Sequence, residues 1–391
     1  MKNFKKIVCL ALAVLMLAFA LTACGKEPAG SSYTANNTTF VIGLSGPLTG
    51  EASQYGIAVQ RAAQLAVDEI NEAGGLFNHQ FSLLAYDDQH NPSRVATGYA
   101  DMLEKGMQAS LACVTSGPCA EFKALSKEDN VFFITPSGSN DEIPSESNGY
   151  QMCFADGNQG KAAALYVNEN FAGQTIGVLY ASGDNYSEGI YSQFTENLDS
   201  SVTVVSASFT EGATDFSSQI NTLKGCEFVF LPIYYTPASQ FMIQANGVEN
   251  NMKVYYGCDG LDGIDTIEGF DINTVPQEVS YLSHFNSAAT TGAAGDFVKK
   301  FTEKYGEAPS QFAAGAYDCV YAIYEAMKAI GEDKISVTMS ASELCDLLTA
   351  QFDGDFTFSG ATGSNMKWTR ATSGYGYVEK AATKYVVKAA D

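Results

Sequence analysis

Short apolar runs alternate with segments of helical period along most of this chain, and that alternation limits the folds open to it. The first unit begins with Phe40–Leu44, a strand-length run that contains β-branched residues. The loop Ser45–Gly56 follows and is too rich in Ser, Gly, Pro and Thr to continue the strand. A helix-period segment comes next, and Gly74-Gly75 predicts its end. A strand, a loop and a helix in this order predict the first unit of a parallel α/β sheet. The apolar residues that repeat at helical spacing are Val59, Ala62, Ala63, Ala66 and Ile70.

The alternation occurs twice. Strand-like and helix-like segments follow one another from residue 40 to about residue 140, and the pattern starts again near Gly157 and continues to Lys253–Tyr256. Beyond Asp355, short strand-like segments separated by glycines are typical of antiparallel pairing. Because 391 residues exceed what one compact core usually holds, we predict an α/β protein with two doubly wound, Rossmann-like lobes.

The loop Ser45–Gly56 is the first candidate for ligand contact. Ligands of parallel sheets bind at the carboxyl ends of strands, beside helix N-termini. This loop lies at such an end and contributes one aromatic side chain, Tyr55. A surface loop without a binding role is the alternative interpretation of this stretch alone.

The first 23 residues predict a signal peptide. Three lysines precede the apolar segment Ile7–Leu21, which is short for a membrane span. The following LTAC sequence resembles the lipobox of bacterial lipoproteins, so we expect Cys24 to be lipidated and to anchor the protein to the membrane. Residues 24–39 are polar and without an apolar period, which favours a tether. Ordinary secretion with cleavage elsewhere is the alternative.

The charge of the chain excludes nucleic acid as a partner. The formal net charge is −22, and such an acidic chain repels the phosphate backbone. Only Arg61, Arg94 and Arg370 are arginines, so no basic cluster is available to grip phosphate.

No motif of a common enzyme class is present. The chain has three histidines and lacks a G-x-S-x-G elbow, a Walker loop and an HExxH motif, so we expect no enzyme, no cofactor and no metal. Asp87, Asp88 and His90 lie within four loop residues, and we interpret them as loop and capping groups. Seven cysteines follow Cys24, an odd number that predicts at least one free thiol.

A series of short motifs in a fixed order carries a family resemblance. They include IGLSGPLTGEASQYG, DEINEAGG, YDDQHNP, VTSGP, ITPSGS, CFADGNQG, YSEG, FLPIYYTP and GCDG. In this order the chain resembles the substrate-binding proteins of branched-chain amino-acid (leucine/isoleucine/valine) ABC transporters, which have the type I periplasmic-binding fold. The resemblance implies three crossovers, near residues 155, 285 and 355. The first lobe would comprise residues 40–156 and 285–354, and the second lobe residues 157–284 and 355–391.

The resemblance also implies a function. The protein would capture an amino acid, branched-chain or similar, between its lobes and deliver it to the permease and ATPase subunits of an ABC transporter. A ligand-sensing receptor module for amino acids, small carboxylates or amides is the alternative, because the same fold serves in receptors. The identity of the ligand side chain stays open.

The chemistry of an amino acid narrows the candidate site residues. With arginine scarce, backbone N–H groups, hydroxyls and a helix N-terminus must hold the carboxylate. The resemblance implies that the carboxylate lies at two Ser-Gly turns and that Asp259 takes the ammonium. Taken alone, the serines fit helix capping and Asp259 fits a solvated position. The turn residues are Ser116, Ser137, Gly138 and Ser139, and the aromatic positions are Tyr55, Tyr186, Tyr234 and Tyr235.

Overall fold

Two parallel sheets form from the two runs of alternating segments, which confirms the predicted fold class. A computed structural model describes residues 37–368 and 370–390. The predicted signal peptide, Cys24 and nearly all of the predicted tether lie outside the described residues. Among the helices of the described residues, none has both the length and the apolarity that a membrane span requires.

The first lobe is built around five parallel strands. These are β1 (Phe40–Gly46), β2 (Phe81–Asp87), β3 (Ala109–Cys113), β4 (Phe132–Thr135) and β5 (Gly149–Gln151). Three helices connect them, α1 (Ser53–Glu72), α2 (Pro92–Glu104) and α3 (Ser116–Asp129). The strand order is β2-β1-β3-β4-β5, so the chain winds in both directions from β1.

The α1 helix confirms the predicted amphipathic pattern. All five residues that repeat at helical spacing are at most 2% exposed. The loop before it is shorter than predicted, because β1 continues to Gly46 and α1 already begins at Ser53. Tyr55 therefore lies in the first turn of the helix. Gly56 allows this early start, since a Cβ there would stand 2.1 Å from the carbonyl oxygen of Pro47.

The second lobe contains five parallel strands and one antiparallel edge strand. The parallel strands are β6 (Thr175–Ser182), β7 (Thr203–Thr210), β8 (Phe228–Leu231), β9 (Val254–Gly257) and β10 (Glu278–Ser283). Their helices are α4 (Asp156–Asn170), α5 (Asn185–Glu196), α6 (Ser217–Leu223) and α7 (Tyr235–Asn246).

The chain then returns to the first lobe. The returning helices are α8 (Gly292–Tyr305), α9 (Gln311–Ile330) and α10 (Ala341–Phe352), and α9 packs against α1. A short antiparallel hairpin follows, β11 (Phe358–Gly360) and β12 (Gly363–Met366), and then the short helix α11 (Arg370–Ser373). Finally β13 (Thr383–Lys388) pairs antiparallel with β10, which gives the second sheet the order β13-β10-β9-β8-β6-β7. The predicted antiparallel strands of the tail are thus confirmed.

The lobe boundaries stay a prediction, and the contacts favour a later third crossover. Asp318 of α9 accepts hydrogen bonds from the backbone of Ala361 and Thr362, and the Trp368 indole donates to the carbonyl oxygen of Gln151 at 3.0 Å. These contacts keep residues 358–368 against the first lobe. A third crossover between Val378 and β13 fits them better than one near residue 355.

Candidate functional site between the two lobes

The carboxyl ends of the strands of both lobes face a common cleft, and the deepest part of this cleft is a small cavity. We call it the inner cavity. The volume that is open to the centre of a water-sized sphere is only ≈ 10 Å³. Seven of the nine predicted ligand-contact residues line it, whereas Gly138 and Tyr235 do not. The lining residues are Tyr55, Val114, Thr115, Ser116, Ser137, Ser139, Tyr186, Tyr234, Asp259, Gly260 and Phe312.

Ser116 lies at the first turn of α3, directly after β3. The preceding Thr115 is the N-cap residue, but its side chain does not cap the helix and instead bonds His90 Nδ1 at 2.8 Å. No side chain therefore caps the first turn of α3, which leaves its N–H groups for another acceptor. The Ser116 hydroxyl accepts a hydrogen bond from the backbone N–H of Asn140.

The turn Ser137-Gly138-Ser139 follows β4. The Ser137 hydroxyl donates to the carbonyl oxygen of Val114 at 2.7 Å, and this hydrogen bond stabilises the turn. Gly138 is needed for packing, because a Cβ at this position would lie 2.5 Å from the sulfur of Cys119. Ser139 is 1% exposed and lines the inner cavity.

The second lobe contributes a buried carboxylate. Asp259 follows β9, and its Oδ1 accepts a hydrogen bond from the Tyr186 hydroxyl at 2.7 Å. The same hydroxyl accepts from the backbone N–H of Gly260 at 2.8 Å, which fixes its direction. The second carboxylate oxygen, Oδ2, is buried and has no hydrogen bond of good geometry among the described residues, although the Gln159 side chain lies close enough to lower the pKa of Asp259. Burial raises the pKa of Asp259 to about 7, although the Tyr186 hydrogen bond opposes the shift.

A second carboxylate, Asp156, lies near Asp259 and was not predicted from the sequence. It is the first residue of α4 and is fully buried. Neither of its carboxylate oxygens has a hydrogen bond of good geometry within the described residues. Burial raises the pKa of Asp156 well above its usual value, and the charge of Asp259 raises it further. The CFADGNQG motif contains Asp156, but an acidic residue in the first turn of a helix is usually explained by the helix dipole.

Aromatic rings enclose the remaining sides of the inner cavity. The Tyr55 ring meets Phe312 edge-on with ring centroids 5.1 Å apart, and the Tyr234 ring stacks on Tyr186 with centroids 4.6 Å apart. The Tyr234 hydroxyl is buried and without a hydrogen-bond partner among the described residues. Phe312 was not predicted, because it is the second residue of α9 and only the tertiary fold brings it to the cleft.

The Tyr55 hydroxyl joins the two lobes at the inner cavity. It donates to the carbonyl oxygen of Gly260 at 2.6 Å and accepts from the backbone N–H of Tyr235 at 3.2 Å. The Tyr235 hydroxyl accepts from the N–H of Gln54 at 3.2 Å, so Tyr235 contacts the first lobe outside the cavity.

Further hydrogen bonds connect the lobes nearer to the surface, so the lobes are in a closed arrangement. The Thr236 hydroxyl donates to the carbonyl oxygen of Glu51 at 2.8 Å. Asn140, which follows β4 in the first lobe, donates from Nδ2 to the carbonyl oxygen of Asn185 in the second lobe at 2.9 Å.

A larger cavity adjoins the inner one, with Tyr234 as the lining residue that both share. We call it the outer cavity. It offers ≈ 410 Å³ to the centres of water-sized spheres. Loops of both lobes line it, and its charged side chains are four carboxylates, with His90 as an additional titratable group and no lysine or arginine. The four carboxylates belong to Glu51, Glu121, Asp184 and Glu211.

Asp87 and Asp88, which lie close to His90 in the sequence, stabilise the loops of the first lobe. Asp87 accepts hydrogen bonds from the backbone of Leu48 and from the Thr49 hydroxyl, and Asp88 accepts from the Ser45 hydroxyl. Among the described residues, no group of three or more His, Cys, Asp or Glu side chains is arranged to hold a metal ion. All seven cysteines that follow Cys24 are free and buried, in agreement with the predicted free thiol.

Comparison with known proteins matches residues 39–372 to the model of the periplasmic binding protein family. The leucine-, isoleucine-, valine-, threonine- and alanine-binding protein of Pseudomonas aeruginosa is 30% identical over 223 residues, which span 55% of this chain and 59% of that protein. The chain thus aligns with less than two thirds of this relative's length. Leu/Ile/Val-binding protein homolog 3 of Brucella melitensis is 25% identical, and the alignment covers 80% of this chain and 89% of that one.

Solved structures give the same result for the fold. The branched-chain amino acid transporter substrate binding protein LivJ of Streptococcus pneumoniae, solved in complex with isoleucine, has a TM-score of 0.77 and 27% identity. That match covers 90% of this chain and 99% of LivJ. A solute binding protein from R. palustris, solved in complex with benzoate, has a TM-score of 0.75 at 18% identity and covers 90% of this chain and 93% of its own. The family model and these relatives agree with the resemblance seen in the motifs, and the chain belongs to the periplasmic binding protein family.

Proposed function

We propose that this protein binds an α-amino acid between its lobes, at the residues that line the inner cavity, and delivers it to an ABC transporter. The observation that carries the proposal is the buried Asp259 carboxylate, whose Oδ2 lacks a partner in a cavity lined by neither lysine nor arginine. A buried carboxylate oxygen without a hydrogen bond is costly, so Oδ2 calls for a ligand that brings a positive charge or a hydrogen-bond donor. The ammonium group of an amino acid meets both requirements.

Asp156 supports the same assignment. Two neighbouring buried carboxylates cannot both be ionised without a compensating charge. The ligand's ammonium would supply that charge, and Tyr186 already orients Asp259 by its hydrogen bond.

The first lobe offers the complementary half of the site. The uncapped first turn of α3 carries free N–H groups and the positive end of the helix dipole, which favour a carboxylate. The hydroxyls of Ser116 and Ser139 lie in the lining of the same cavity. A zwitterion would therefore bridge the lobes, with its carboxylate on the first lobe and its ammonium on the second.

The site favours an amino acid over a simple aromatic or aliphatic acid. A benzoate, the ligand named for one structural neighbour, carries a negative charge and no ammonium. Such an anion would leave Asp259 unpaired and would be repelled by it. Branched-chain amino acids, named for several relatives, fit the proposal because their head group is zwitterionic.

The remaining parts of the proposal concern location and partners. Members of the periplasmic binding protein family act outside the cytoplasmic membrane, and the lysine-rich start of the chain agrees with export. We propose that Cys24 is lipidated and anchors the protein to the outer face of the membrane, that permease and ATPase subunits receive the ligand, and that no reaction is catalysed. A Cys24→Ser variant should lose the lipid label of the wild-type protein and separate from the membrane fraction.

A thermal-shift screen of the protein against the twenty amino acids, benzoate and acetamide tests the ligand class. A ligand at 100 times its dissociation constant should add about 2.7 kcal/mol to the free energy of unfolding. We expect at least one amino acid to stabilise the protein and to be recovered chemically unchanged. Stabilisation by benzoate or acetamide with no response to any amino acid would overturn the proposal, and turnover of the bound compound would favour an enzyme. Uptake of the labelled ligand in cells with and without the gene then separates transport from sensing.

A further inference from the structure

The closed lobes leave little room at the residues that would hold the amino-acid head group. The inner cavity offers ≈ 10 Å³ to the centre of a water-sized sphere, which is about what one water molecule requires. An α-amino acid is several times larger than a water molecule even when its side chain is a single hydrogen. The lobes must therefore open to admit a ligand, and what they can close over again depends on how firmly the walls of the cavity are held.

Tyr55 forms a wall of the inner cavity that is fixed from both lobes. Its ring is 3% exposed and meets the Tyr235 ring edge-on, with ring centroids 4.5 Å apart. Its hydroxyl donates to the carbonyl oxygen of Gly260 and accepts from the backbone N–H of Tyr235, and both of these partners belong to the second lobe. A ligand side chain that pushed the Tyr55 ring aside would break both hydrogen bonds, and with them the connection between the lobes at the cavity.

Tyr186 and Phe312 form walls that are similarly constrained. Tyr186 is 2% exposed, and its hydroxyl bonds both Asp259 and the N–H of Gly260. Its ring cannot turn away without releasing the carboxylate that would take the ammonium. Phe312 is 4% exposed, lies at the start of α9 and packs edge-on against Tyr55. A ligand side chain therefore has only the space that these packed rings leave to it.

We infer that the preferred ligand is an α-amino acid with a very short side chain, such as glycine or alanine, and that Tyr55 and Phe312 set this size limit. The inference rests on the proposed function, since it needs the head group to lie at Asp259, and it adds the size class of the side chain. The shorter the side chain, the less the two rings must move when the lobes close again. Additional methylenes would overpack the site, so leucine could be held only with the rings displaced.

Glycine, L-alanine, L-norvaline and L-leucine are the probes that test the inference. They share the head group, so differences in their affinity report on the side chain alone. In isothermal titration calorimetry we expect glycine or alanine to bind most tightly. Leucine should bind at least about tenfold more weakly than alanine, because closing over it overpacks the site.

Variants of Phe312 locate the size limit, because this side chain has no hydrogen bond to lose. Phe312→Ala should bring leucine to at least the affinity of alanine, since removal of the ring opens space beside Tyr55. Large-to-small substitutions destabilise a core, so Phe312→Leu is the second variant, and it should reduce the preference for alanine about threefold or more.

Phe301→Ala and Phe301→Leu are the matched controls. Phe301 is a 1% exposed ring of α8 in the first lobe, and it lines neither cavity. These controls remove the same atoms from a buried position, so they should lower stability but keep the wild-type ratio of alanine to leucine affinity.

Two outcomes would overturn the inference and leave the proposed function standing. Norvaline or leucine that binds the wild-type protein as tightly as alanine would show that the walls do not limit the side chain. A ratio of affinities that stays at the wild-type value in both Phe312 variants, or that changes equally in the Phe301 controls, would show that the Phe312 ring does not set the limit. If no amino acid binds at all, the proposed function fails and the inference fails with it.

Discussion

Asp259 in the inner cavity and its neighbour Asp156 are buried, whereas the outer cavity leaves most of its carboxylates exposed to solvent. Asp156 and Asp259 are at most 1% exposed, and burial raises the pKa of both. Glu51, Glu121 and Glu211 are exposed, and water and salt screen their charges. Both cavities are acidic, yet the same charge has different consequences in them.

The difference predicts how large the effect of a substitution on ligand binding should be at each cavity. A buried carboxylate that loses its partner costs several kcal/mol, so the inner cavity should decide whether an amino acid binds. Exposed carboxylates contribute up to about 1 kcal/mol each, so a change at the outer cavity should have a smaller effect on binding.

The largest effect is expected at Asp259. Truncating one member of a buried charged pair typically costs about 2–5 kcal/mol, so Asp259→Ala should weaken the amino acid about thirtyfold or more in calorimetry. Asp199→Ala is the control, because Asp199 is exposed and lines neither cavity. An Asp259→Ala protein that keeps wild-type affinity would show that the ammonium does not lie there, and a ligand without an amino group would become the better hypothesis.

A pH dependence follows from the same carboxylate. The pKa of Asp259 is raised from 3.8 to about 7 in the folded protein, so folding favours the protonated form. The protonated group therefore adds to the free energy of unfolding at low pH, and this addition is lost as pH rises from about 4 to about 7. A ligand ammonium needs the ionised form instead. With a pKa near 7, the ionised fraction rises about tenfold between pH 6 and pH 8, and affinity should rise by up to that factor.

Asp259→Asn provides the control for the pH experiment. The variant keeps the shape of the side chain but does not titrate, so its weaker binding should be nearly independent of pH between 6 and 8. Burial also raises the pKa values of Asp184 and Asp262 to about 6 and that of the neighbouring Asp156 well above its usual value, and all three groups remain in the variant. A pH dependence that survives in Asp259→Asn would therefore belong to these groups.

Sequence patterns identified the lobes and much of the inner cavity, because both depend on local order along the chain. The Ser-Gly turns and Asp259 each follow a buried strand, and the carboxyl ends of parallel strands meet at one edge. Adjacent tyrosines were harder to assign. Tyr234 is the N-cap of α7 and lines the cavity, whereas Tyr235 is its first residue and contacts the other lobe.

The residues that the sequence did not predict depend on distant parts of the fold. Phe312 reaches the cleft only because α9 returns to pack on α1. The helix dipole alone would explain an acidic residue such as Asp156 at the start of α4. Only the burial of Asp156 beside Asp259 shows that this explanation is incomplete. Burial and proximity across a crossover cannot be derived from spacing along the chain.

A smaller effect is expected at the Tyr55 hydroxyl, which joins the lobes at the inner cavity. Tyr55→Phe removes one donated and one accepted hydrogen bond between the lobes. At about 0.5–1.5 kcal/mol per bond, the closed form should be weakened and the amino acid should bind at least about fivefold less tightly. Tyr99→Phe is the control, because its hydroxyl bonds Leu125 within the first lobe. Equal losses of affinity in the two variants would mean that general destabilisation, not lobe closure, is responsible.

The smallest effect is expected at Thr236, whose hydroxyl joins the lobes beside the outer cavity. Its hydrogen bond to the carbonyl oxygen of Glu51 is exposed, so water replaces the lost partner when Thr236→Val removes it. Ligand affinity should therefore fall by about threefold or less, at the lower end of what one hydrogen bond contributes. Thr222→Val is the matched control, because this exposed hydroxyl donates to the carbonyl oxygen of Ser218 within α6. If Thr236→Val instead weakened binding as much as Tyr55→Phe, the contacts beside the outer cavity would govern closure as strongly as those at the inner cavity, and the expected order of effects would be wrong.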